Sequence, residues 1–110
     1  MAHFIIFYTG PATAPEDMTE EAVQTEMTLW GEWIESIGSA MVEVGSPTGA
    51  SDVVTDDGSA GEPLEITGYS ILEAASIEDA KDLVKGHPFI RDGEGTLSIS
   101  IHELLPVPEM

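Results

Sequence analysis

Apolar residues along this chain alternate between two periods, and the switches between them mark the elements. Residues 3–8, "HFIIFY", have the period of a strand. His3, Ile5 and Phe7 fall on one face, and Phe4, Ile6 and Tyr8 on the other. Both faces are largely apolar, so this strand is expected to be covered on both sides. Downstream of the loop "GPATAPED" the period becomes helical. Val23, Met27, Trp30, Ile34 and Ile37 recur at three- and four-residue steps, and Ala22, Leu29 and Trp33 widen the stripe. Asp17 is the expected N-cap, with Glu20 in the capping-box position, and Gly38 the expected stop. "AMVEVG" (40–45) reads as a short strand. Residues 46–63 read as a long functional loop or a short hairpin; the hairpin is expected, with "DVV" as one arm and "DDG" near the turn. "LEITGYSILEA" (64–74) is a further strand. Ser76 caps a second helix, with Asp79 at its capping-box position. Ile77, Ala80, Leu83 and Val84 form its apolar stripe, and Gly86 and Pro88 end it. The last strand, "TLSISIHELL", sends Leu97, Ile99 and Ile101 one way and Ser98, Ser100 and His102 the other.

The order β-α-β-(loop or hairpin)-β-α-β predicts an α+β, ferredoxin-like split βαβ fold. Its sheet is four-stranded and antiparallel, with both helices on one face. Two helices cover only that face. The first strand is nevertheless apolar on both, and the third offers Tyr69 and Ile71 opposite Ile66 and Leu72. A twofold partner laying its own sheet on the second face is the simplest cover, so a homodimer is expected.

The 110 residues make one domain, 1–110. There is no apolar run of membrane-spanning length, and "MAHFIIFYTG" lacks the basic region of a signal peptide, so a cytoplasmic protein is expected. Cysteine is absent, which removes disulfides, thiolate nucleophiles and Cys-ligated metals. Charge changes the picture most. Asp and Glu number 21 against three Lys and Arg, a net of −18. Nothing in such a chain neutralises phosphates in bulk, so neither nucleic acid nor an anionic membrane is an expected partner. The acids are scattered, as on the surface of a salt-adapted protein whose self-repulsion is screened by counterions.

Several blocks carry a family resemblance: "LWGEWIESIG", "MVEVGSP", "ITGYSILEAASIEDAKDL", "HPFI" and "SISIHELLPV". In this order and spacing they resemble the YCII-related family, in particular its DGPF-type branch. The resemblance covers nearly the whole chain and implies a ferredoxin-like subunit that pairs into a dimeric α+β barrel. It also implies, for some members, an enzymatic role resting on a His-Asp pair. Here the position of that histidine falls close to Met27, no histidine lies in the helix, and "DDGSAGEP" stands roughly where the DGPF signature would be.

All the positive charge of Lys and Arg lies within or just ahead of "GHPFIRDG" (86–93): Lys81, Lys85 and Arg91. His87 reads either as a general base or hydrogen-bond donor at a pocket, oriented by Arg91 and Asp92, or as a residue interacting with the helix dipole, as Lys81 and Lys85 do. Arg91 is also a candidate to hold a carboxylate. Ser98, Ser100 and His102 would line a barrel interior or a polar sheet edge. Tyr8 and Tyr69 are candidate pocket residues, Trp30 reads as core, and Trp33 is placed to cap a pocket or interface. His3 reads as a buried, hydrogen-bonded histidine. The three histidines show no metal-ligand spacing, no Gly-rich nucleotide loop joins a strand to a helix, and no GxSxG is present, so no cofactor or metal is expected. Three functions stay open. One is a small-molecule-binding homodimer of unknown ligand. The second is a cofactor-free enzyme of isomerase, lyase or monooxygenase type with His87 or His102 as acid/base. The third is a structural or regulatory partner of another protein.

Overall fold

The computed structural model describes residues 1–10, 19–90, 95 and 97–106. Its elements run β1 (Ala2–Thr9), α1 (Glu20–Ile37), β2 (Met41–Pro47), β3 (Ile66–Ala74), α2 (Ile77–Val84) and β4 (Ser98–Leu104). Single 3₁₀ turns follow α1 at Gly38–Ala40 and α2 at Pro88–Ile90. The sheet order is β2-β3-β1-β4, and every neighbouring pair is antiparallel. This is the ferredoxin-like arrangement that the alternation predicts.

β1 is central, and its register sorts the faces. Phe4, Ile6 and Tyr8 are buried; across β3 they pair with Leu72, Ser70 and Gly68. Ile6 and Tyr8 pair across β4 with Ile101 and Ile99. Both helices pack on this face. Trp33 and Val84 close over Ile6, Tyr8 and Leu72, while Ala80 sits against Phe4 and Ala74. On the opposite face Ile5 and Phe7 stand beside Ile71, Tyr69, His102 and Ser100, all half-buried except the exposed His102.

Local chemistry sets the boundaries. Thr19, not Asp17, caps α1: its side chain accepts from the Ala22 N–H, and Asp17 lies outside the described residues. Gly38, at φ 56°, ends α1 where a side chain would be strained. Ser76 caps α2 by accepting from Asp79 N–H. The short hairpin forms within 46–63. Val54 bridges Ala60, and Thr55 N–H bonds Ser59 O across a turn at Gly58. Asp57 accepts there from both Ser59 and Thr55, which hold its carboxyl down at about 2.

The helical stripes are buried less evenly than their periodicity predicts. Val23 and Met27 are exposed, as is Ile77 on α2. An 18-residue helix is about 27 Å long, and the buried part of α1 begins near Trp30. Its first two turns contribute nothing to the buried core. His3 also departs from expectation: it is exposed, 3.1 Å from Glu73 Oε2.

Candidate functional site

The C-terminal end of β1 meets the turn after α2 at a buried polar chain inside an aromatic cluster. His87 is 1% exposed. Its ring lies 4.2 Å from Trp33, 4.4 Å from Trp30 and 4.9 Å from Tyr8, centroid to centroid. The backbone N–H of Phe89 donates to His87 Nδ1 at 2.9 Å. That bond occupies the Nδ1 lone pair, so the neutral ring carries its proton on Nε2. His87 Nε2 is 3.2 Å from Tyr8 Oη and donates to it. Tyr8 in turn spends its own proton on Ser70 Oγ, 2.7 Å away. Ser70 donates to the Val44 carbonyl at 2.6 Å. Every proton in the chain therefore points one way, from His87 to the backbone of β2.

Sequence and local geometry explain each link. Tyr8 and Ser70 share the helix-facing side because the β1–β3 register pairs Tyr8 with Gly68 and Ile6 with Ser70. The Val44 carbonyl comes within reach through irregularity in β2. Between Met41 and Ser46 the strand carries extra residues against Leu72–Tyr69, and Gly45 takes φ 82°. A Cβ at Gly45 would overlap the Tyr69 carbonyl. His87 is held by Gly86 and Pro88 in a turn in which its N–H bonds Val84 O. Burial pushes the imidazole down to about 4, against a smaller opposing pull from Glu26. Burial also raises the Tyr8 phenol, partly offset by its bond to Ser70. The helix-end cation that the sequence allowed at this position is thus a neutral ring.

Tyr8 also borders a cleft of about 320 Å³ between α1 and the β2–β3 end of the sheet. Trp30 and Phe89 form the remaining aromatic wall; Tyr8 is 4.9 Å from the first and 5.3 Å from the second. Pro47, Val44 and Thr67 border the other side, with Tyr69 at the rim. The space exists because Gly68 occupies a helix-facing position without a side chain. A Cβ there would lie 3.2 Å from Tyr8 Cδ2 and from Ser46 O.

The sequence candidates therefore separate into groups. His87 and Tyr8 meet at one site, and Trp33 backs it: the indole is buried and its Nε1–H donates to Leu83 O at 3.0 Å, tying α1 to α2. Trp30, read as core, is half-buried and walls the cleft. Tyr69 bonds Glu43 Oε1 loosely, at 3.5 Å. His102, Ser100 and Ser98 lie on the other face of the sheet, where His102 packs edge-on against Phe7. Arg91 and Asp92 lie outside the described residues. Ser70 and Phe89 are absent from the sequence candidates. Alternation places Ser70 in the apolar row of β3, and a lone serine among Leu72, Ala74 and Gly68 is the signal that was available. Among the described residues no three His, Cys, Asp or Glu side chains are placed to hold a metal, and no helix is long and apolar enough to cross a membrane.

No family model matches the chain, and no curated protein matches it. Among solved structures it is similar to 5-chloro-2-hydroxyhydroquinone dehydrochlorinase from Burkholderia phenoliruptrix AC1100, solved in complex with 2,5-dihydroxybenzoquinone. The TM-score is 0.51 at 20% identity, over 89% of this chain and 90% of that one. The likeness shows a shared fold.

Proposed function

We propose that this chain is a small-molecule-binding protein of the YCII-related type, acting as a homodimer. The observation that carries the reading is the cleft itself. It is an aromatic-walled space, opened by Gly68, with a satisfied polar chain running from His87 through Tyr8 behind it. Pre-formed apolar concavities with a few fixed polar groups are how small-ligand sites are built. The neighbour of like fold holds a small ring compound, which supports the reading.

The dimer rests on the open sheet face. Ile5, Phe7 and Ile71 are only half-buried there, and no described element packs over them. A second copy applying the same face would close a dimeric α+β barrel and place Ser98, Ser100 and His102 inside it.

A second reading, a cofactor-free enzyme, is favoured by one observation: Tyr8 joins the cleft to a buried imidazole. In that reading His87 acts as a hydrogen-bond donor that orients Tyr8, because its Nδ1 lone pair is already taken by Phe89 N–H.

A thermal-shift screen of small ring compounds tests the reading, with Gly68→Val as the control that fills the cleft. Compounds that raise the wild-type Tm should leave the variant unmoved. A screen in which no compound stabilises the wild type in a Gly68-dependent way overturns it.

A further inference from the structure

The aromatic cleft beside Tyr8 also constrains the charge of what it binds. This chain carries a net −18, with acids distributed along its whole length. Yet among the described residues the cleft is bordered by no Asp, Glu, Lys, Arg or His side chain. Its walls are the rings of Trp30, Tyr8, Tyr69 and Phe89, the side chains of Val44 and Pro47, backbone at Gly45 and Gly68, and Ser46 and Thr67, whose hydroxyls already donate to Pro47 O and Tyr8 O. An ion seated there would lose part of its water and gain no counter-charge, a loss that is larger for an ion than for a neutral polar group. A flat apolar ring meets the opposite balance. It buries carbon against carbon, and the existing contacts, at 4.9 and 5.3 Å, already have the edge and tilted geometry that aromatic rings prefer.

The polar chain behind the wall points the same way. Tyr8 gives its proton to Ser70, and His87 gives its proton to Tyr8. Neither has a proton left to neutralise an anion.

We infer that the cleft is selective for uncharged, planar aromatic ligands and discriminates against their carboxylate and ammonium counterparts. This rests on the cleft being a ligand site, as proposed above. The neutral lining, set into so acidic a chain, is the juxtaposition that makes the selectivity.

Three probes of one ring skeleton test it by calorimetry at pH 7.5: 2-naphthol, 2-naphthoate and 2-naphthylmethylammonium. Molar salt shortens the Debye length to about 3 Å, so the local lining rather than the overall field decides the outcome. The expected result is 2-naphthol binding at least tenfold more tightly than either ion, with binding lost in Gly68→Val. Equal or tighter binding of 2-naphthoate overturns the selectivity, leaves the cleft as a ligand site, and turns attention to Arg91 as the carboxylate partner. Tighter binding of the ammonium overturns it in favour of cation–π capture. Binding of 2-naphthol that survives Gly68→Val overturns it by placing the probe elsewhere. If no probe binds but the thermal-shift screen finds other Gly68-dependent ligands, the ligand class is wrong and the site stands. If neither experiment finds one, both fall.

Discussion

His87 donates from Nε2 to Tyr8 Oη across 3.2 Å, and it does so as a neutral ring because Phe89 N–H occupies its other nitrogen. That pair links the turn after α2 to the central strand. It also makes stability depend on pH. The folded imidazole sits at about 4, below its ordinary 6.5. The unfolded chain therefore takes up the proton first. The stabilising contribution is complete above pH 6.5 and is lost as pH falls through about 4. The full loss is on the order of 3 kcal/mol. His87→Gln should remove it, so the stability difference between wild type and variant should shrink on acidification from pH 7.5 to 4.5. Urea unfolding of both proteins at each pH measures this. A difference that stays constant contradicts a buried neutral imidazole.

Tyr8→Phe strands the buried His87 Nε2–H, and Ser70→Ala strands the Tyr8 O–H and the Val44 carbonyl. Each should cost about 1–3 kcal/mol. Because they belong to one chain, the double variant should cost less than the sum of the two. Additive losses in a double-mutant cycle would show that the bonds are energetically separate.

The two glycines near the cleft should respond differently. Gly45→Ala places a Cβ into the Tyr69 carbonyl at φ 82° and should destabilise severely, or prevent folding. Gly68→Ala meets its nearest neighbours at 3.2 Å and should fold with a modest loss, while narrowing the cleft. Circular dichroism melts of the pair check the contrast; equal losses would contradict the geometry at β2.

Raising salt should stabilise the protein. A net charge of −18 on 110 residues repels itself, and screening relieves that repulsion. Tm should climb from low to molar salt, and light scattering in molar salt should give a dimer. Phe7→Arg, on the open sheet face, should yield a folded monomer. A Tm independent of salt contradicts the salt-adapted reading, and a dimer that survives Phe7→Arg contradicts the interface.

Strand alternation made most of the fold legible. The opposed rows Phe4-Ile6-Tyr8 and His3-Ile5-Phe7 determine which face receives the helices, and Gly38 and Ser76 mark helix boundaries through backbone chemistry that acts locally. Periodicity failed where burial depends on length. Val23 and Met27 continue the α1 stripe beyond the core, and nothing in a helical repeat says where the covering surface ends. The site was half legible. His87, Tyr8 and Trp33 each stand out in the sequence, but their meeting depends on tertiary placement, with His87 and Tyr8 79 positions apart. The exchange of roles between Trp30 and Trp33 has the same origin. Both lie on one helix flank and both pack against His87, and only the tertiary arrangement decides that Trp33 is buried while Trp30 borders the cleft.

The chain has two tryptophans, and their indole N–H groups differ in a way that one spectrum resolves. Trp33 Nε1–H is bonded to Leu83 O behind the core, whereas Trp30 borders the cleft. The most direct test of a ligand site here is a ¹⁵N–¹H titration of the wild-type protein in molar salt with 2-naphthol, following both indole signals. The expected result is a saturable shift of the Trp30 signal, together with the amides around Gly68, while the Trp33 signal stays in place. Saturable shifts confined to residues remote from Trp30 and Gly68, or none at all, would contradict the cleft as the binding site.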